Sequence, residues 1–376
     1  MFPLTKSELL KNVEKFSEEK LVDYELKRNF DVGVPHENVS KLSPYIRRKF
    51  VTETEILKKI FKNHKYENIE KFVEEIFWRA YWRGWLETHP WIYKDYELIE
   101  DTNFIPTKTG IKCFDHWKDE IIETGYLHNH ARMWFASIWI FTLGHSWESG
   151  ANFFKNHLID WCPASNTLGW RWVAGLQTFG KPYVAKAENI KSFTKGRFFP
   201  KNQLNEKIMF SEKIDKNKIA LDFNLKKSQE INLDDSLGVI INNNDLALNN
   251  IFNKLKLDFE CCLFNKKSRN NLVNIFEDGI YNDIIKENDN IKIIQTFEDI
   301  FKWIDENKIK NLIIPYETTG NKLFENKNFI EKIKEKKIKY LFYLRDWDKT
   351  SFPYAKKGFF NFKKNIPNIL KMMKLL

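Results

Sequence analysis

Apolar residues between Ser7 and Arg28 recur at mainly helical spacing, at Leu9, Leu10, Val13, Phe16, Leu21 and Leu26. Similar spacing continues through 54–87, 113–124, 126–143 and 147–159, and no period-2 run interrupts it before residue 200. This predicts a mostly helical first 200 residues. From Leu237 the texture changes to short apolar runs, LGVII, FECCLF, IKII, NLIIPY and KYLFYL, separated by charged helical stretches such as FEDIFKWIDENK and KNFIEKIKEKK. That alternation predicts a parallel α/β unit. Between them, 201–236 is polar and weakly patterned and reads as a linker. The expected fold is multidomain α and α/β: helical residues 1–200, a linker at 201–236, a parallel α/β unit at 237–350 and a C-terminal segment at 351–376. A chain of 376 residues is long enough for two cores.

Composition sharpens the division. Of 13 Trp, 11 fall between Trp78 and Trp172, and all eight His precede residue 160. The chain beyond residue 200 is instead rich in Lys, Asn, Ile and acidic residues. A net charge of +10 leans towards polyanionic partners, nucleic acid being the commonest. The excess is diffuse, with 29 Lys+Arg against 26 Asp+Glu up to residue 200 and 32 against 25 beyond it. Biased codon usage gives the same composition, so charge alone does not choose a partner. Cys113, Cys162, Cys261 and Cys262 lack paired ligand spacing, which indicates neither a zinc site nor a disulfide framework. No apolar h-region opens the chain and no run of 18 apolar residues occurs, so a cytoplasmic protein without a membrane span is expected.

Three stretches carry candidate chemistry. In FVEEIFWRAYWRGW, Phe72, Glu75 and Arg79 share a helical face with Trp78 three residues beyond Glu75. This is either a partly buried ion pair with packing aromatics or a site. In TGYLHNHARM, Tyr126, Asn129, His130 and Met133 share a face with Arg132 beside it, which suggests a lined cavity; the two His alone do not indicate a metal. In LIDWCPASNTLGWRWVAG, Asp160, Asn166, Trp170 and Trp172 surround Pro163 and two Gly. That stretch reads as an aromatic loop that a planar ligand could approach closely, or as a buried loop rich in turn residues.

Taken in this order, the stretches resemble the flavin-binding domain of the DNA photolyase and cryptochrome family over about residues 20–200. YELKR with VSKLSPYI (Tyr24–Arg28, Val39–Ile46) looks like the family's diphosphate-binding segment. EIFWR is similar to its Glu-x-x-Trp-Arg, TGYLHNHARM to its Thr-Gly-Trp-x-His-Asn-Arg-x-Arg-Met, IDWCPASNTLGWRW to its Asp-x-Asp-x-x-x-Asn-x-x-Gly-Trp-x-Trp, and KPYV to its Pro-Tyr-Phe.

The resemblance implies an N-terminal all-helical FAD-binding domain and light-driven splitting of cyclobutane pyrimidine dimers by an electron from reduced flavin. A blue-light photoreceptor without repair activity is the alternative. FAD-binding positions would be Tyr24, Ser40, Lys41, Leu42, Ser43, Phe72, Glu75, Arg79, Asn129, Arg132, Asp160, Cys162 and Asn166. Arg132 and Asp160 would pair over the isoalloxazine, and Asn166 would meet its N5. Glu75 would hydrogen-bond the dimer, with Trp78, Asn129, His130, Met133 and Trp172 contacting it. Family members that repair (6-4) photoproducts have His at the positions of Asn129 and Met133, so these two match the cyclobutane pattern. An electron relay would run through Trp170, Trp147 and Trp91, with Tyr93 or Tyr96 as substitutes for the last. The expected partner is UV-damaged DNA with its dimer flipped out, bound by a monomer and no membrane.

Departures from the pattern are Cys162 for a second acid, His130 for an Arg, Tyr126 and Phe72 for Trp, Val39 for Thr and Ala80 for Glu. GVIINNNDLALNN and the strand–helix run from Ile291 resemble the family's Rossmann-like antenna domain, which normally comes first. The resemblance therefore implies a circular permutation. No antenna chromophore is assigned.

Overall fold

The helical spacing of the first half resolves into eleven α-helices among the described residues, with breaks where the apolar pattern runs on. In this computed structural model the described residues are 2–99, 104–208, 220–225, 229–233, 235–248, 250–251, 257–268, 270–288 and 290–376. The first helices are α1 (Lys6–Glu19), α2 (Tyr24–Lys27), α3 (Ser43–Arg48), α4 (Glu53–Ile60), α5 (Tyr66–Thr88) and α6 (Trp91–Glu97). They are followed by α7 (Lys112–Thr124), α8 (Asn129–Ser137), α9 (Trp147–His157), α10 (Pro163–Val173) and α11 (Ala187–Phe193). Local signals explain the boundaries. Thr52 and Glu55 form a capping box that starts α4. Gly125, at φ 67°, ends α7 in the left-handed conformation, where a Cβ would strike Ile159. Pro163 occupies the first turn of α10, where its missing N–H costs nothing.

That last helix corrects the expected aromatic loop at 158–175. Its Pro, Asn and Gly look like turn residues, yet Pro163 opens the helix, and the Asn166 N–H donates to the Cys162 carbonyl.

All five apolar runs of the second half are strands of one parallel sheet: β1 (Leu237–Asn242), β2 (Glu260–Phe264), β3 (Ile291–Ile294), β4 (Asn311–Pro315) and β5 (Lys339–Tyr343). Their order is β3-β2-β1-β4-β5. Helices α12 (Asn271–Glu287), α13 (Phe297–Glu306) and α14 (Lys327–Glu335) connect them, and α15 (Asp346–Ser351), α16 (Phe359–Lys363) and α17 (Ile366–Met372) follow. The central strands β1, β2 and β4 are buried on both faces, which is why they read as apolar runs, whereas the edge strands β3 and β5 are partly exposed. Val239, Ile241, Cys261 and Leu263 join the core of the N-terminal helices, whereas Ile240, Cys262, Leu312 and Ile314 pack against Trp303, Phe324 and Phe329.

The helical and α/β parts therefore share a core. Buried ion pairs also cross between them: Arg48–Glu277 at 2.8 Å, Arg345–Glu53 at 2.9 Å and Arg83–Asp348 at 2.7 Å. Such pairs add little net stability but cost about 3–5 kcal/mol when one partner is removed, so they fix how the parts dock. The segment 201–236 lies partly outside the described residues. Where described, it is tied to the protein: the Leu221 N–H donates to the Thr88 carbonyl and the Gln229 N–H to the Tyr340 carbonyl. No described helix is long and apolar enough to cross a membrane.

Candidate functional site

Helices α3, α5, α8 and α10 enclose a cavity of about 540 Å³ on the helical side of the molecule. Its wall brings together Tyr24, Ser40, Lys41, Leu42, Ser43, Phe72, Glu75, Trp78, Arg79, Asn129, Arg132, Met133, Asp160, Cys162, Asn166, Trp170 and Trp172. Arg28, Trp82 and Trp161 also line it, and nothing in their local sequence pattern singles out the two Trp. Helical period explains the convergence: Phe72, Glu75 and Arg79 lie on one stripe of α5, and Asn129, Arg132 and Met133 on one stripe of α8.

The centre of the wall is an ion pair. Arg132 donates from Nη2 to Asp160 Oδ2 at 3.0 Å, and Ser43 Oγ donates to the same oxygen at 2.5 Å. Burial pushes the Asp160 carboxyl up, but Arg132 and Ser43 outweigh it and hold it below the usual range. Arg132 is fixed in turn by the Leu127 carbonyl, 2.8 Å from Nε. Glu75 stands elsewhere on the wall, 2.7 Å from Arg28 and 3.8 Å from Lys71. Burial raises its carboxyl above the ordinary value despite both cations.

The wall also holds unsatisfied groups that suit an anionic cofactor. Lys41 and Arg79 make no side-chain hydrogen bond or ion pair among the described residues. One Arg79 Nη, Asp160 Oδ1, Trp161 Nε1 and Trp170 Nε1 are buried without a partner. Two free cations and the Ser40 hydroxyl fit a diphosphate, and a carboxylate-backed guanidinium fits the polar edge of a flavin. Asn166 is held by donating from Nδ2 to the Ala151 carbonyl at 2.9 Å, which leaves its amide oxygen for a ligand.

Cys162 caps α10 where the family resemblance places an acid. Burial pushes its thiol up, but Arg79, the Ser165 N–H, Arg83 and Arg47 together bring it down to about 7. The folded value lies below the unfolded one, so the unfolded chain holds this proton more tightly between the two. The thiolate's contribution is complete above the unfolded value and is lost as pH falls through about 7. Unfolding free energy should therefore rise by about 2 kcal/mol from pH ~7 to ~9. Cys162→Asp, ionised throughout, should flatten this rise in urea titrations; an equal rise in the variant would show that another group is responsible.

Some expected residues lie elsewhere. His130, expected to touch substrate, does not line the cavity. Its ring is buried, stacked on Trp134 with centroids 4.1 Å apart, with Nδ1 2.8 Å from the Asn29 carbonyl and Nε2 3.3 Å from the Tyr183 hydroxyl. Burial lowers its basicity, so it does not replace the family's cation. His128 caps α8 by accepting the His130 N–H, and burial brings it down to about 3. Trp78 lines the cavity but gives one face to Phe359, whose ring lies 3.6 Å away and 10° from parallel.

Among the relay candidates, Trp170 is on the wall and is packed so closely on Gly150 that a Cβ there would lie 2.2 Å from its ring. Trp147 stacks on Tyr96 at 5.5 Å, whereas the ring beside Trp91 is His89 at 5.3 Å. Trp139, missed from sequence, meets Trp170 edge-on at 6.0 Å.

Part of the chain is similar to known proteins. Residues 53–217 match the family described as the FAD binding domain of DNA photolyase. The deoxyribodipyrimidine photo-lyase of Alkalihalophilus pseudofirmus is 29% identical over 188 residues, covering 46% of this chain and 38% of that protein. The enzyme of the same name from Escherichia coli is 25% identical over 200 residues, covering 48% of this chain and 42% of its own. The chain thus spans about two fifths of the length of these relatives. A bacterial class III photolyase from Agrobacterium tumefaciens aligns over 51% of this chain and 43% of its own, with 23% identity and a TM-score of 0.43. Residues 53–217 are thus similar to the FAD binding domain of DNA photolyase, a domain whose cofactor is FAD.

Proposed function

We propose that the protein is a light-driven, FAD-dependent lyase that splits cyclobutane pyrimidine dimers in DNA. The observation that carries this reading is convergence: Glu75, Asn129, Met133, Trp78 and Trp172 line the same cavity as the Arg132–Asp160 pair and the unpaired Lys41 and Arg79. Lys41, Arg79 and the Ser40–Ser43 segment would hold the diphosphate, although this segment precedes the matched residues 53–217. Arg132, Asp160, Asn166 and Cys162 would hold the flavin. When bound in its reduced form, FAD supplies an electron on absorbing blue or near-ultraviolet light, which is the chemistry that opens a cyclobutane ring.

The chain's own residues would do the rest. Trp172 and Trp78, both on the cavity wall, would hold a flipped dimer between them, whose weak stacking makes it cheap to extrude. Asn129 would bridge flavin and dimer, Met133 would fill the gap beside them, and Glu75 would donate a hydrogen bond to a pyrimidine carbonyl. Trp170 would begin the route for recharging the flavin, with Trp147 next; Tyr96 rather than Trp91 touches that ring. The parallel α/β unit, after the flavin domain in this chain, would correspond to a permuted antenna domain.

Illuminating the FAD-reduced protein with a dimer-containing oligonucleotide should restore thymine absorbance. No recovery from protein shown to hold reduced FAD would sink the repair reading and favour a cryptochrome-like photoreceptor.

A further inference from the structure

From Lys349 to Leu376 the chain carries seven Lys and no Asp or Glu. Within it, KKGFFNFKK (356–364) interleaves four Lys with three Phe. Two of the rings anchor the segment: Phe359 stacks on Trp78, and Phe362 is buried against Tyr81. The third, Phe360, points outward and is 83% exposed.

The lysines divide in the same way. Lys356 pairs with Asp222, and Lys363 with Glu74 and Glu70. The ammonium groups of Lys357 and Lys364 make no hydrogen bond or ion pair among the described residues. An exposed ring thus stands between two unpaired cations, one residue from the ring that backs a wall of the cavity. A lone exposed Phe means nothing by itself. A ring flanked by free cations beside a cavity wall is the arrangement that single-stranded nucleic acid uses, with phosphates on the cations and a base on the ring.

We propose that 356–364 is a contact surface for a DNA strand leading to the cavity, Lys357 and Lys364 meeting phosphates and Phe360 stacking on an unpaired base. The inference rests on the DNA-binding part of the proposed function. A membrane surface fits less well, because the apolar face of α17 (Ile366, Ile369, Leu370) is buried in the core and leaves too little for insertion.

The test uses the full FAD-loaded chain with labelled single-stranded oligonucleotides, one undamaged and one holding a single thymine dimer. Because Lys357, Phe360 and Lys364 are all exposed, the variants should fold and keep their flavin absorbance. Phe360→Ala should weaken both oligonucleotides about fivefold or more. Lys357→Ala with Lys364→Ala should weaken both and reduce the slope of log affinity against log salt by about 1.4, two phosphate contacts on a single strand. Parent-like affinities and slopes in both variants would overturn the proposal, as would a parent that binds neither oligonucleotide. Loss of binding only to phosphatidylglycerol vesicles would overturn it in favour of a membrane. A parent that binds both equally and repairs nothing would sink the repair reading, while the undamaged oligonucleotide still decides this one.

Discussion

Asp160→Asn should lower the unfolding free energy by about 3 kcal/mol and abolish stable flavin retention. The Asn amide can still accept from Ser43, but it cannot neutralise Arg132, whose guanidinium is held in place by the Leu127 carbonyl and stands over the Tyr126 ring at 5.2 Å. Removing one member of a buried pair leaves the other charge uncompensated, which costs about 3–5 kcal/mol. Arg132 keeps about a fifth of its side chain exposed, so the low end applies. Urea titration at neutral pH should show an earlier midpoint with an unchanged slope.

The acid limb supplies an independent sign. The Asp160 carboxyl is held below its ordinary value in the folded state, so its contribution is present above that ordinary value and is lost as pH falls through the folded one. The Asn variant has no such proton to bind and should lose less stability than the parent over that acid range. Replacing both partners, Arg132→Met with Asp160→Leu, should recover much of the stability while still failing to retain FAD. Stability within 1 kcal/mol of the parent in the single variant, or FAD retained by the apolar pair, would show that the ion pair does neither job.

What the sequence made legible follows from what burial does to pattern. The strands could be read because the central strands of a parallel sheet, covered on both faces, need short apolar runs, and charged helices separate all five. Helix ends between α1 and α2, and between α4 and α5, were hidden because the apolar spacing continues across both breaks. Helix α10 was mistaken for a loop because Pro163, Asn166 and Gly169 are turn residues by composition. Only the helix start makes Pro163 favourable, and only open space beside Gly169 leaves room for a ligand. Cavity residues on one helical stripe were found by period and by family resemblance together.

His130 was misplaced because its partners, the Asn29 carbonyl and Tyr183, are distant in sequence and give no local signal. The same holds for Phe359 behind Trp78 and for the ion pairs that dock the sheet on the helices. Contacts made by tertiary folding alone leave no periodicity to read.

Glu75→Ala should keep FAD and lose dimer splitting by roughly 10–100-fold, the range expected when a hydrogen bond to a charged group disappears. The proposed role requires Glu75 to donate to the dimer, and so to be protonated. Burial raises its carboxyl above the ordinary value, so the protonated form persists to a higher pH than an exposed Glu would allow. A protonated carboxyl can donate to a pyrimidine carbonyl as negative charge builds there, which is where such a bond strengthens most. Arg28 at 2.7 Å opposes protonation, so bound substrate should favour the donor form only where it displaces or screens that cation. Repair by the parent should accordingly fall as pH rises through the Glu75 value. Glu75→Gln carries a permanent N–H donor and should recover part of the activity with no such fall. Single-turnover repair by pre-reduced protein, followed across pH for parent, Ala and Gln variants, separates these outcomes. Equal repair by the Ala variant would remove Glu75 from the chemistry. A Gln variant no better than Ala would mean that the carboxylate serves through its charge, by holding Arg28 at the cavity wall, and not through a proton.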